Sequence, residues 1–128
     1  MTDTRKMLEM AAKAMGYESR KFVRDKWTLE VLAILIAYPD SDSVKWNPHT
    51  DDGDCLRMIA KLGIIVMWTY SESGEIRSAE CSIMKCHGDG FFSREASASE
   101  LLANHNNDPD ASLRLCALRC AAMMGEQM

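Results

Sequence analysis

Between Trp46 and Gly63 the sequence spells out a helix start almost in full. Pro48 fixes its own φ and biases Asn47 toward an extended backbone. Thr50 is placed to cap, and Asp51, Asp52 and Asp54 then fall where negative charge complements the positive end of a helix. Cys55, Ile59 and Leu62 recur at helical spacing as an inner stripe, flanked by Leu56 and Met58. Lys61 occupies the last turn and Gly63 is a natural stop. Trp46 anchors the chain in front of the unit. The remaining elements read as packed around this helix.

A first helix is expected over residues 3–15, capped by Thr2 or Asp3. Met7, Leu8, Ala11, Ala12 and Met15 lie on one face, and Gly16 ends it. Residues 17–23 suit a short strand. The segment Trp27–Tyr38 is apolar and rich in β-branched and aromatic residues, which favours a strand buried on both faces over a buried helix. Pro39 to Ser43 then reads as a loop. Ile64–Tyr70 is apolar on both alternating faces, as a central strand covered on both sides would be. Ser71–Gly74 is a turn, and Glu75–Cys86 the second arm of an antiparallel hairpin. Its residues Ala79, Cys81 and Ile83 share one face, and Ser78, Glu80 and Ser82 the other. Phe91 and Phe92 are expected in the core after the loop 87–90. Ser97 or Ser99 is expected to start one or two helical turns through Leu102, broken by Asn104–Asn107. Asp108-Pro109 is a cap followed by proline at the first helical position. The stripe Leu113, Cys116, Ala117, Cys120, Ala121 and Met124 follows, with Gly125 as the stop.

These elements give an α+β class: an α/β/α sandwich with a mostly antiparallel sheet of three to four strands and about three main helices. At 128 residues the chain is expected to be a single domain, 1–128. A 47% hydrophobic and 27% charged composition suits a globular fold. The net charge of −4 disfavours a general nucleic-acid binder, which needs a basic face. Five cysteines, no signal-type apolar segment and no apolar run long enough for a membrane span point to a cytoplasmic protein with reduced, buried thiols. Ten methionines suit an adaptable core or surface.

Three blocks resemble a known family. Trp46-Asn47-Pro48, Thr50-Asp51-Asp52-Gly53-Asp54, Leu56-Arg57 and Lys61-Leu62 resemble the central motif of small accessory proteins of tailed phages and prophages, the phage ABA sandwich domain. Met7-Leu8-Glu9 with Ala11-Ala12-Lys13-Ala14, and the Asp108-Pro109 helix running to Gly125, are similar to its two ends. The resemblance implies an α/β/α sandwich. It supplies no activity, so no catalytic residue is carried over. His49 and Cys55 depart from the pattern, where an apolar residue and an alanine are expected.

Candidate chemistry is sparse. Asp51, Asp52 and Asp54 with His49 have the residue types of a hard-cation or acid–base site, but the spacing is not that of a calcium loop and capping accounts for all three acids. Cys81, Cys86, His87 and His105 are zinc-ligand types, yet the gap between Cys81 and Cys86 is loose and no second Cys-x-x-Cys exists. No phosphate loop, dinucleotide fingerprint or serine-hydrolase elbow occurs. Arg20, Lys21, Phe22, Arg24, Lys26 and Trp27 form the one basic-aromatic cluster, suited to nucleic acid or an acidic protein, or to a solvated strand edge. Binding residues are therefore expected among Arg20, Lys21, Phe22, Arg24, Trp27, Trp46, His49, Asp51, Asp52 and Asp54, with no catalytic residue, metal or cofactor. The expected function is that of a non-enzymatic phage accessory protein that binds a host or anti-phage defence protein. A small-ligand or nucleic-acid-binding module of an early phage operon is the alternative. A homodimer is a further expected partnership, and a membrane is not.

Overall fold

The computed structural model describes residues 4–27, 31–37, 43–86, 88, 90 and 92–128. The elements run α1 (Thr4–Ala14), β1 (Glu18–Arg24), β2 (Val31–Ala37), β3 (Ser43–Trp46), α2 (Asp52–Leu62), β4 (Ile65–Tyr70), β5 (Ile76–Cys86), β6 (Phe92–Leu101), a 3₁₀ turn (Leu102–His105) and α3 (Pro109–Glu126). Among the described residues the class is α+β with three helices and antiparallel strands, as the sequence predicts. The strands divide into two sheets of three, ordered β1-β2-β3 and β4-β5-β6.

Helix α1 puts Met7, Leu8, Ala11 and Ala12 on its buried face. It lies against β1 and β2 of the first sheet and against α3. In the first sheet Phe22, Ile34 and Trp46 stand side by side across the three strands, and Ile34 and Trp46 enter the core with Leu8 and Met15. Burying a side chain of this size stabilises by about 1.5–3 kcal/mol. The proposed caps Thr2 and Asp3, and Leu29, Glu30 and Tyr38 of the predicted second strand, lie outside the described residues, as do Pro39–Asp42 of the predicted loop. Ser43, expected in that loop, opens β3. This four-residue strand has no alternation of its own to announce it and exists by pairing with Ile34–Ala37.

Helix α3, not α2, is the element the others surround. It contacts α1, α2, β5, β6 and the 3₁₀ turn. Ser112, Cys116, Ala117, Leu118, Cys120, Ala121, Ala122 and Gly125 are all buried, so the apolar stripe extends over most of its circumference. Its start is the one predicted: the Asp108 carboxylate accepts the Asp110 amide at 3.0 Å, with Pro109 next. Its end is not. Gly125 is inside the helix, and a Cβ there would stand 1.9 Å from the Met10 carbonyl oxygen. Glycine is required by the approach of α1, not as a stop.

Two strands differ from expectation in the second sheet. Ile65–Tyr70 is an edge strand, not a central one. Helix α3 covers one face of the sheet, while Ile65, Met67 and Tyr70 are exposed. Residues 92–101 form a strand where helical turns were expected through Ser97–Leu102. Its low intrinsic strand propensity is overridden by a continuous ladder with β5, from Ser78–Leu101 to Cys86–Phe92. Phe92 is 64% exposed, outside the core; Phe91, His87 and Asp89 lie outside the described residues.

Candidate functional site

The turn from Trp46 to Asp54 is held at every point. The Asn47 side chain accepts the His49 amide at 2.9 Å, and the Thr50 and Asp51 amides close onto the Asn47 carbonyl. The cap of α2 is Asp51 rather than Thr50. Its carboxylate accepts the Asp54 amide at 2.8 Å. Asp54 in turn accepts the Asn47 amide on one oxygen at 3.0 Å and the Arg57 guanidinium on the other at 2.7 Å. Asp52 takes the Arg114 guanidinium at 2.8 Å, while the Arg114 Nε donates to the His49 carbonyl at 2.9 Å. One arginine of α3 thus clamps both ends of the 49–52 segment. At the other end of the helix, Gly63 adopts φ 66, the left-handed conformation glycine accepts.

All three acids are engaged in capping or pairing, so the cluster is a fold device. Trp46 is buried edge-on to Tyr17, with ring centroids 5.7 Å apart, and its indole N–H has no hydrogen-bond partner among the described residues. It is a core residue and offers no binding surface. His49 is half-buried. Burial, then the charges of Arg114 and His105, push its pKa below the usual value, with Glu100 opposing. A groove of about 220 Å³ separates the turn from the outer face of the first sheet, lined by Val23, Ala33, Lys45, Asn47, Thr50, Asp51 and Asp54.

The 20–27 cluster is described only in part. Phe22 is half-buried on the inner face, with the Arg5 guanidinium 5.9 Å from its ring. Arg20 and Lys21 belong to β1, and their side chains lie outside the described residues. Arg24 and Lys26 are exposed. Trp27 is 86% exposed, and its amide donates to the Asp25 carboxylate at 2.8 Å. The structure therefore gathers His49, Asp51, Asp52 and Asp54 but does not bring Trp27 to them.

A second region was not singled out from the sequence. The uncovered face of the β4-β5-β6 sheet carries three cross-strand rows: Ile65–Ser82–Ser97, Met67–Glu80–Ser99 and Thr69–Ser78–Leu101. Thr69 and Ser78 hydroxyls are hydrogen-bonded across the last row. A groove of about 460 Å³ runs over this face, and Met67, Glu80, Ser82, Arg94, Ser99 and Arg119 help line it. Ile65, Met67 and Leu101 stand in these rows as exposed apolar side chains. The alternation of Ser78, Glu80 and Ser82 was the available signal; its extension over β6 was hidden by the helical reading of that segment. At the β6 edge, Glu100 joins His105 at 3.2 Å and Arg119 at 2.7 Å.

Cys55, Cys81, Cys116 and Cys120 are interior. Burial pushes Cys55 up to about 11 and Cys120 up to about 12. A hydrogen bond to Cys116, then burial, raises Cys81 as well. Cys116 donates to the Ala79 and Ala98 carbonyls at 3.3 Å. Of the zinc-type residues, Cys81 faces the core, His105 is paired with Glu100, and His87 and the Cys86 side chain lie outside the described residues. Among the described residues no three His, Cys, Asp or Glu side chains converge, and no helix is long and apolar enough to cross a membrane. Comparison with protein-family models, with characterised proteins and with solved structures finds no significant match.

Proposed function

We propose that this chain is a non-enzymatic accessory protein of the phage or prophage kind. It acts in the host cytoplasm by docking on a host or anti-phage defence protein and obstructing it. The observation that carries the reading is the uncovered face of the second sheet. Met67 is 60% exposed, Ile65 46% and Leu101 42% on this face, whose groove is also lined by Glu80, Arg94 and Arg119. Apolar anchors with charges of both signs beside them suit a protein surface better than a phosphate backbone. The phage origin rests on the resemblance of the Trp46–Leu62 block. Host lysate passed over the immobilised protein tests the reading. A stoichiometric protein partner should be retained, and lost when Leu101→Asp and Ser97→Arg are combined on the face. A lysate that yields no such partner overturns it.

A second reading rests on Trp27, whose ring stands in solvent, with the exposed Lys26 and Arg24 close to it in sequence. An exposed aromatic among cations is the element on which single-stranded bases stack. Salt-dependent quenching of tryptophan fluorescence by an oligonucleotide, abolished in Trp27→Ala, would favour it; unchanged fluorescence removes it.

A further inference from the structure

We propose that the free edge of β4 is a self-association site, where a second copy of this chain adds its own β4 and joins two three-stranded sheets into one of six strands. Among the described residues β4 pairs with β5 alone, so its other edge presents unpaired N–H and C=O groups. Proteins ordinarily blunt such edges with charge, proline or a bulge. Ile65-Val66-Met67-Trp68-Thr69 has no charge and no proline, and the one irregularity in its ladder falls after it, between Thr69 and Tyr70. The other edge strands are guarded in sequence: β1 carries Glu18 and Arg24, β3 Lys45, and β6 Arg94, Glu95 and Glu100. Of the four sheet edges, β4 alone is left open to pairing.

Symmetry selects the register. Two copies related by a two-fold axis normal to the sheet pair antiparallel, and each residue faces the same side as its opposite. Opposed residues are therefore an even number of positions apart in sequence. Placing Met67 on the axis sets Ile65 opposite Thr69 and Val66 opposite Trp68, which uses the whole regular segment and stops at the irregularity. Met67 then meets its own mate on the uncovered face. Val66 and Trp68, half-buried in the single chain, gain apolar neighbours on the covered face. No like charges meet at the axis. The nearest charge in the Met67 row is Glu80, on the next strand. It would stand three strand spacings from its mate, roughly 14 Å, beyond the screening length of about 10 Å at ordinary salt. The inference concerns the strand edge and stands apart from the foreign partner assigned to the sheet face.

The test measures mass by light scattering over a concentration series, with three variants of the full chain. The wild type should reach twice the monomer mass. Met67→Lys, at an exposed position, should stay monomeric with unchanged circular dichroism, because it sets two ammonium groups against each other at the axis. In a Cys86→Ser background, where Cys55, Cys81, Cys116 and Cys120 are buried, Met67→Cys should cross-link with diamide. The two thiols are oxidised to one disulfide as the azo bond takes up two electrons and two protons. Opposed Cα atoms of an antiparallel pair stand about 4.5–5.5 Å apart, within disulfide range. Tyr70→Cys in the same background should not cross-link. A wild type that is monomeric at every concentration overturns the proposal. So does a dimer that Met67→Lys leaves intact, or cross-linking at position 70 in preference to 67.

Discussion

Asp51 and Asp54 between them satisfy the amides that the turn into α2 would otherwise leave bare, each carboxylate reaching a backbone N–H three to seven residues away. Asp51→Ala should lower unfolding free energy by about 1 kcal/mol in urea titration, the usual value of a side-chain cap. Thr50→Ala, one position earlier, should change it by no more than a few tenths. Equal losses at the two positions would contradict the assignment of the cap. The presence of a capped start here was legible in the sequence; its position was one residue off, because Thr and Asp are both good caps. What decides is that the Asn47 carbonyl draws in both the Thr50 and Asp51 amides, which places Asp51 rather than Thr50 at the helix mouth. The role of Arg114 was not legible at all, since its two partners are more than sixty residues away.

Among the elements, α1 and α3 pack backbone against backbone at one point. Their meeting depends on Gly125, against which the Met10 backbone is pressed. Gly125→Ala drives a methyl group into a carbonyl oxygen that no rotamer can move. It should destabilise by about 3 kcal/mol or more, at the upper end of overpacking costs, despite the better helix propensity of alanine. A thermal melt that shows no loss would mean that the helices can slide apart at no cost. Periodicity revealed α1, α2, α3 and the β4–β5 hairpin. It failed for β6, whose Ala and Ser residues have no strand preference, and for β3, which is four residues long. Both are strands only because a neighbour supplies the ladder. The exposure of β4 was equally hidden: an apolar run looks the same whether its second face meets a helix or water.

At the scale of the whole molecule, α3 separates two sheets that touch it or its neighbour α1 but do not extend each other. Its buried face lines up Cys116 and Cys120 opposite Cys81, with Cys55 on the adjoining α2. Burial pushes Cys55 and Cys120 up, and the hydrogen bond with Cys116 raises Cys81 while lowering Cys116; all four thiols are shut away from solvent. In a Cys86→Ser background, iodoacetamide at neutral pH should therefore modify none of the four in the native protein and all four in urea, read by intact mass. Rapid native labelling would mean that the α3 interface opens. The candidate site follows the same division. The acids legible in the sequence belong to the fold, while the uncovered face of the second sheet exists only once β4, β5 and β6 are assembled.

The α1–α3 junction also governs how the chain can fold. Helix α1 can pack early on β1 and β2, its neighbours in sequence, but its junction with α3 closes only when the two ends of the chain meet: the contact between Lys13 and Met128 spans 115 residues. Closing so long a loop carries an entropic cost that local helix formation does not offset in advance. Folding should therefore be limited by this late, non-local docking, with the β4–β5–β6 meander forming earlier from contacts close in sequence. Until that docking occurs, the part of the α1 stripe that meets α3 stays in water.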